Sequence, residues 1–191
     1  MKFEDGTDMR LYRQTVEDFA LYTGKELTEP ELAQLREAAG KMSAKMRAVR
    51  IVSASSVSKK DLMQRLVQKG EEPAQAQEAV AWMSDLNLLD DREVARQVVA
   101  RCISKGYGMA RAKQALYEKK VPKAYWDEAL ADYPDQVEHI AEFLRSRLGS
   151  NPDKKEVQRT IDALLRRGHS YGQIRKVMNG ISFDDEVFPE E

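Results

Sequence analysis

Three short stretches decide the fold: Leu66, Val67, Gln68, Lys69, Gly70; Leu116, Tyr117, Glu118, Lys119, Lys120; and Leu164, Leu165, Arg166, Arg167, Gly168. The second lies 50 residues after the first and the third 98 residues after it. At the offset of 50, Glu78, Ala79 and Val80 fall on Glu128, Ala129 and Leu130. At 98, Ala79 and Val80 fall on Val177 and Met178. Self-similarity at a fixed spacing of this size is the mark of a repeat architecture. Each stretch reads as the end of a basic helix. Gly70 and Gly168 suit the left-handed residue that closes a helix, and the preceding Lys or Arg complements the helix dipole. Pro73 and Pro122 then stand where the following helices begin, and Ser170 does so as an N-cap.

Working outward, the chain divides into an N-terminal extension at 1–40, three-helix repeats at 41–90, 91–134 and 135–180, and an acidic tail at 181–191. The sequence predicts an all-α, elongated protein of nine to eleven helices, built from helix-turn-helix-like repeats. Sheet is expected to be confined to a short N-terminal strand. Composition agrees. Ten glycines and six prolines in 191 residues are too few for a sandwich or barrel. Runs such as KKDLMQRLVQ are rich in strong helix formers. The expected core is Leu62, Leu66, Val80, Ala95, Val99, Leu116, Leu130, Ile140, Leu144, Ile161, Leu165 and Ile174. Trp82, Trp126 and Cys102 belong to the same apolar stripes.

Charge follows the repeat. The net charge of −1 conceals blocks of −4 (1–40), +7 (41–70), −5 (71–100), +6 (101–125), −5 (126–145), +5 (146–180) and −5 (181–191). One basic block per repeat is the footprint of a surface that meets phosphate backbone or an acidic protein groove. Solvated helix faces knitted by intrahelical ion pairs are the competing explanation. The candidates for a binding stripe, by charge and repeat position, are Lys69, Arg101, Lys105, Arg111, Lys113, Lys119, Arg166, Arg167 and Arg175.

Catalytic motifs and Cys/His metal motifs are absent, while an all-carboxylate metal site stays open in principle. One cysteine and two histidines cannot form a Cys/His zinc cluster. No cofactor is expected. The serines at 53, 55 and 56 lack a nearby histidine, and no GxSxG, GxGxxG or Walker sequence occurs. The GxG at Gly106 and Gly108 follows a helix instead of a strand. Asp90 and Asp91 read as helix N-terminal residues, and His169 as a cap or surface group. No apolar run of about 18 residues and no signal-peptide pattern is present, which points to a cytoplasmic protein.

The order Leu88, Leu89, Asp90, Asp91, then Ala95, then Ser104, Lys105, Gly106, Tyr107, Gly108, Met109, Ala110, Arg111 resembles the central signature of the RecX regulatory proteins. Lys59, Lys60, Asp61, Leu62, Arg65, Leu66, Lys69 and Gly70 resemble that family's first unit. Ile161, Leu165, Arg167, Gly168 and Ile174 resemble its third. Asn87 stands where the family often has glycine, and Val57 where a basic residue commonly precedes Ser58. Gly24 through Thr28 look like the segment that precedes the repeats in longer members, with a helix expected from about Pro30. The resemblance implies a non-catalytic, monomeric regulator of homologous recombination and DNA repair within the SOS response. Such a protein binds the RecA–DNA filament and modulates, generally inhibits, its growth, ATPase and strand exchange, with weak DNA binding of its own. Two other readings stand beside it. One is a helix-turn-helix DNA-binding protein reading bases with Arg111, Lys113 and Gln114. The other is a helical scaffold for another partner.

Overall fold

Thr28 opens the longest helix. Its hydroxyl accepts from the Glu31 amide while the Glu31 carboxylate accepts from the Thr28 amide, and Pro30 sits in the first turn. The computed structural model describes residues 1–3, 6, 8–149 and 152–180. The expected acidic tail at 181–191 lies outside them. Among the described residues the α-helices are α1 (Arg13–Asp18), α2 (Glu29–Ala54), α3 (Lys59–Gln68), α4 (Pro73–Asp85), α5 (Asp91–Ser104), α6 (Met109–Glu118), α7 (Trp126–Leu130), α8 (Val137–Arg147), α9 (Lys154–Arg166) and α10 (Tyr171–Gly180). A 3₁₀ turn, Lys123–Tyr125, leads into α7. The only β pairing among the described residues is an isolated antiparallel bridge between Lys2 and Asp8.

The chain forms two compact units that meet in sequence between Asp90 and Asp91. In the first, α2 packs on α4 and α3. Their core gathers Ala44, Ala48, Leu62, Leu66, Ala79, Met83 and Leu89. The boundary expected at residue 40 falls inside α2, which runs through it unbroken. Gly40 is where this helix crosses α4, since a Cβ there would strike the Gln75 side chain. Beside it, Glu71 is buried and accepts from Ser43 Oγ at 3.0 Å and from Arg47 Nε. In the second unit, α5, α6 and α7 enclose Ala95, Val99, Cys102, Ala112, Leu116 and Leu130. Helices α8, α9 and α10 enclose a separate cluster around Ile140, Leu144, Ile161, Leu164 and Ile174.

The repeat is visible in the helix ends. Gly70, Lys120 and Gly168 all adopt the left-handed region, at φ +89°, +54° and +89°. In each case the next amide returns to the leucine at the head of the stretch: Glu71 to Leu66 (3.1 Å), Val121 to Leu116 (3.1 Å) and His169 to Leu164 (3.2 Å). These are three Schellman closures at equivalent positions. Asn87 takes the same conformation at φ +56°, as asparagine tolerates better than most residues.

The structure corrects three expectations. Leu165 is exposed and Leu164 takes its place in the core. The offset itself explains this, because Leu165 is the equivalent of Val67 and Tyr117, both also exposed. The residues that the register buries are Leu66, Leu116 and Leu164, each contributing about 2–3 kcal/mol. Val80 packs against its cluster but is only partly buried. His169 is no surface group: its amide closes α9 on the Leu164 carbonyl and its side chain is buried. It follows the left-handed residue, the position held by Glu71 and Val121, and like them it is buried.

Candidate functional site

The second unit contains a seam where the turn after α9 lies against the turn after α5. Gly108 donates its amide to the Arg167 carbonyl at 3.0 Å, and Ala110 donates to the Gly168 carbonyl at 3.3 Å. Gly108 is the N-cap of α6 with ordinary extended backbone, φ −75°. Its lack of a side chain serves close approach, since a Cβ would fall well inside 3.0 Å of the Gly168 carbonyl and the His169 amide nitrogen. Gly106 differs. It has φ +62°, and it closes α5 with Tyr107 N–H on the Cys102 carbonyl. Tyr133 Oη donates to the Tyr107 carbonyl at 2.6 Å, and burial pushes its phenol up to about 12.

His169 completes the seam. Its Nε2 lies 3.1 Å from the Gly106 carbonyl. A carbonyl can only accept, so Nε2 carries the proton. Nδ1 is then a buried acceptor with no hydrogen-bond partner among the described residues. Burial is the main cause that lowers the His169 pKa, reinforced by Arg167 and His139 and opposed by the Gly106 bond and by Asp135.

Beside the seam runs a groove of about 350 Å³ lined by Tyr107, Phe143, Ala163 and the arginines 111, 147, 166 and 167. Helix α6 supplies Arg111, α8 supplies Phe143 and Arg147, and the end of α9 supplies Arg166 and Arg167. The Arg167 guanidinium lies over both rings, 4.8 Å from the Phe143 centroid and 5.6 Å from that of Tyr107. Arg147 lies 5.3 Å from Phe143. Arg111 pairs with Glu118 at 3.0 Å.

Three of the nine stripe candidates, Arg111, Arg166 and Arg167, thus meet in one groove. Arg101 and Lys105 stand exposed at the end of α5. Together with Arg111 their charges act on Cys102, although burial dominates and pushes that thiol up. Lys113 is exposed on α6, Lys119 caps that helix, and Arg175 is exposed on α10. Lys69 caps α3 in the other unit. Of the signature residues, Leu88 is exposed, Leu89 is buried, and Asp90 and Asp91 open α5. Sequence reasoning missed Tyr107, Phe143, Arg147 and His169 as site residues. The available signals were the Phe143–Arg147 spacing of four and the place of Tyr107 in the quoted signature.

Among the described residues, no group of three or more His, Cys, Asp or Glu side chains stands ready for a metal. No described helix is long and apolar enough to cross a membrane.

The chain matches two family models, described as RecX, second three-helix domain, over residues 90–130, and RecX, third three-helix domain, over residues 134–178. The Regulatory protein RecX of Vibrio campbellii is 30% identical over 148 residues, spanning 76% of this chain and 94% of the relative. That of Clostridioides difficile is 25% identical over 189 residues, spanning 96% and 89%. A crystal structure of regulatory protein RecX superposes with a TM-score of 0.65 at 19% identity, over 93% of this chain and 91% of that one. A crystal structure of RecX from Lactobacillus salivarius gives 0.63 at 22% identity, over 75% and 97%.

Proposed function

From the premise that the chain belongs to the RecX family, we propose that it is a non-catalytic, cytoplasmic regulator that binds the RecA–DNA filament and inhibits its growth, ATPase and strand exchange. The observation that carries this reading is the basic surface of the second unit. Arg101, Lys105, Lys113, Arg166 and Arg175 are all exposed there, on two successive repeats. A filament offers the same acidic or phosphate groups again and again along its axis. Weak contacts from several points on one body act at high effective concentration against such a lattice. The contacts are electrostatic, so they weaken with salt.

The helix-turn-helix reading has less support. Base recognition needs extended, available side chains at the start of a helix. Here Arg111 and Gln114 both donate to Glu118, at 3.0 and 3.2 Å.

The test is RecA ATPase on single-stranded DNA, titrated with this protein and with the variant Arg101→Glu/Lys105→Glu/Lys113→Glu at two salt concentrations. These three side chains are exposed, so helical content should not change. Wild type should inhibit at substoichiometric ratios, and the variant should inhibit far less. No inhibition by wild type removes the reading. Equal inhibition by both proteins leaves a filament regulator whose grip does not depend on this surface.

A further inference from the structure

We infer that the groove beside the seam is a binding site for a small polyphosphate anion, the triphosphate of a free nucleotide being the fitting ligand. It brings four guanidiniums together from three helices, around about 350 Å³ of open space. Among the described residues, only Arg111 of the four has a carboxylate partner, Glu118. Arg167 lies over the Phe143 and Tyr107 rings instead, and Arg147 over Phe143. A ring contact of this kind leaves the guanidinium charge uncompensated by any carboxylate, and N–H donors remain for an anion. An acid-poor cluster of like charges is unfavourable by itself, and a multivalent anion relieves it.

Charge and geometry select the anion class. With Arg111 shared with Glu118, the four arginines leave about three uncompensated positive charges, which a multivalent polyphosphate of roughly four negative charges satisfies in one compact group, and bidentate guanidinium–phosphate pairing supplies the geometry. A nucleic-acid strand brings one charge per phosphodiester, so it presents too little charge to a groove this short. The aromatic rings already carry guanidiniums. Recognition therefore falls mainly on the phosphates. Arg147, counted in the basic block at 146–180 but not among the stripe candidates, becomes one of the determining residues. This inference does not depend on filament binding.

The experiment is calorimetric titration of the full chain at low ionic strength with inorganic tripolyphosphate, ATP, GTP and a short oligodeoxythymidine. Tripolyphosphate, ATP and GTP should bind once per chain with affinities within about threefold of one another, and the oligonucleotide more weakly. Arg147→Gln and Arg166→Gln should each weaken tripolyphosphate by about tenfold or more, as expected for a charge-assisted hydrogen bond. Arg175→Gln, outside the groove lining, should leave it unchanged. Thermal melting checks that the variants fold. Absence of saturable tripolyphosphate binding, or binding indifferent to both groove variants, overturns the proposal. So does a strand that binds where tripolyphosphate does not. RecA inhibition, measured separately, stands or falls independently of these outcomes.

Discussion

Replacing Gly108 by alanine isolates the steric part of the seam. At φ −75° and ψ 164° its backbone is accessible to any residue, so the substitution introduces no backbone strain. The added methyl would fall well inside 3.0 Å of the Gly168 carbonyl and the His169 amide nitrogen, all backbone atoms that cannot rotate away. The two turns must separate. Separation removes the Gly108 bond to Arg167 and the Ala110 bond to Gly168, worth about 1 kcal/mol each. Overpacking adds about 1–3 kcal/mol, and the narrower unfolded ensemble of alanine returns about 0.5 kcal/mol. The net loss is about 2.5–4.5 kcal/mol. Urea denaturation of the Gly108→Ala protein measures it. Native-state hydrogen exchange at the Gly108 and Ala110 amides locates it. Gly172→Ala is the control: that residue lies in α10 with nothing within 4 Å of an added Cβ, and alanine there should stabilise by about 0.5–1 kcal/mol. A Gly108→Ala protein within about 0.5 kcal/mol of the parent, with its seam amides still protected, would refute the reasoning.

Stability should fall as the medium becomes mildly acidic. The folded His169 pKa lies below its ordinary value of 6.5, so between the two the unfolded chain binds the extra proton. The contribution is complete above the unfolded pKa and is lost as pH falls toward the folded one. His169→Gln should flatten this dependence in denaturation curves taken at several pH values. An unchanged slope would mean that His169 does not titrate on unfolding. At the end of α6, Lys120 holds a left-handed conformation that its repeat equivalents assign to glycine. Lys120→Gly should raise stability by about 0.5–1 kcal/mol by thermal melting, through relief of Cβ strain offset in part by glycine's greater unfolded entropy. Tyr133→Phe should lose about 1 kcal/mol by removing the 2.6 Å bond to the Tyr107 carbonyl. Spectrophotometric titration of the parent should show one phenol ionising only near pH 12.

The repeat was legible because its signals are local. A left-handed residue after a helix, a proline or serine opening the next one, and a buried leucine four residues before the cap all leave marks in the sequence at fixed spacing. They predicted the helices, their ends and most of the core. Where Leu165 was expected inside, the same offset, applied strictly, already pointed to Leu164. The basic blocks were equally visible, since charge is carried by composition. What the sequence did not contain was the meeting of two turns separated by some sixty residues. In place of the serine that caps α3, a glycine caps α6, and no local rule asks for it. Only the close approach of Gly168 and His169 does. Likewise, Arg147 and Phe143 look like ordinary surface positions on α8 until the end of α9 is laid beside them. Helix formation depends on neighbours in the chain and can be read from it. A seam depends on which backbone reaches which, and that is decided when the repeats pack.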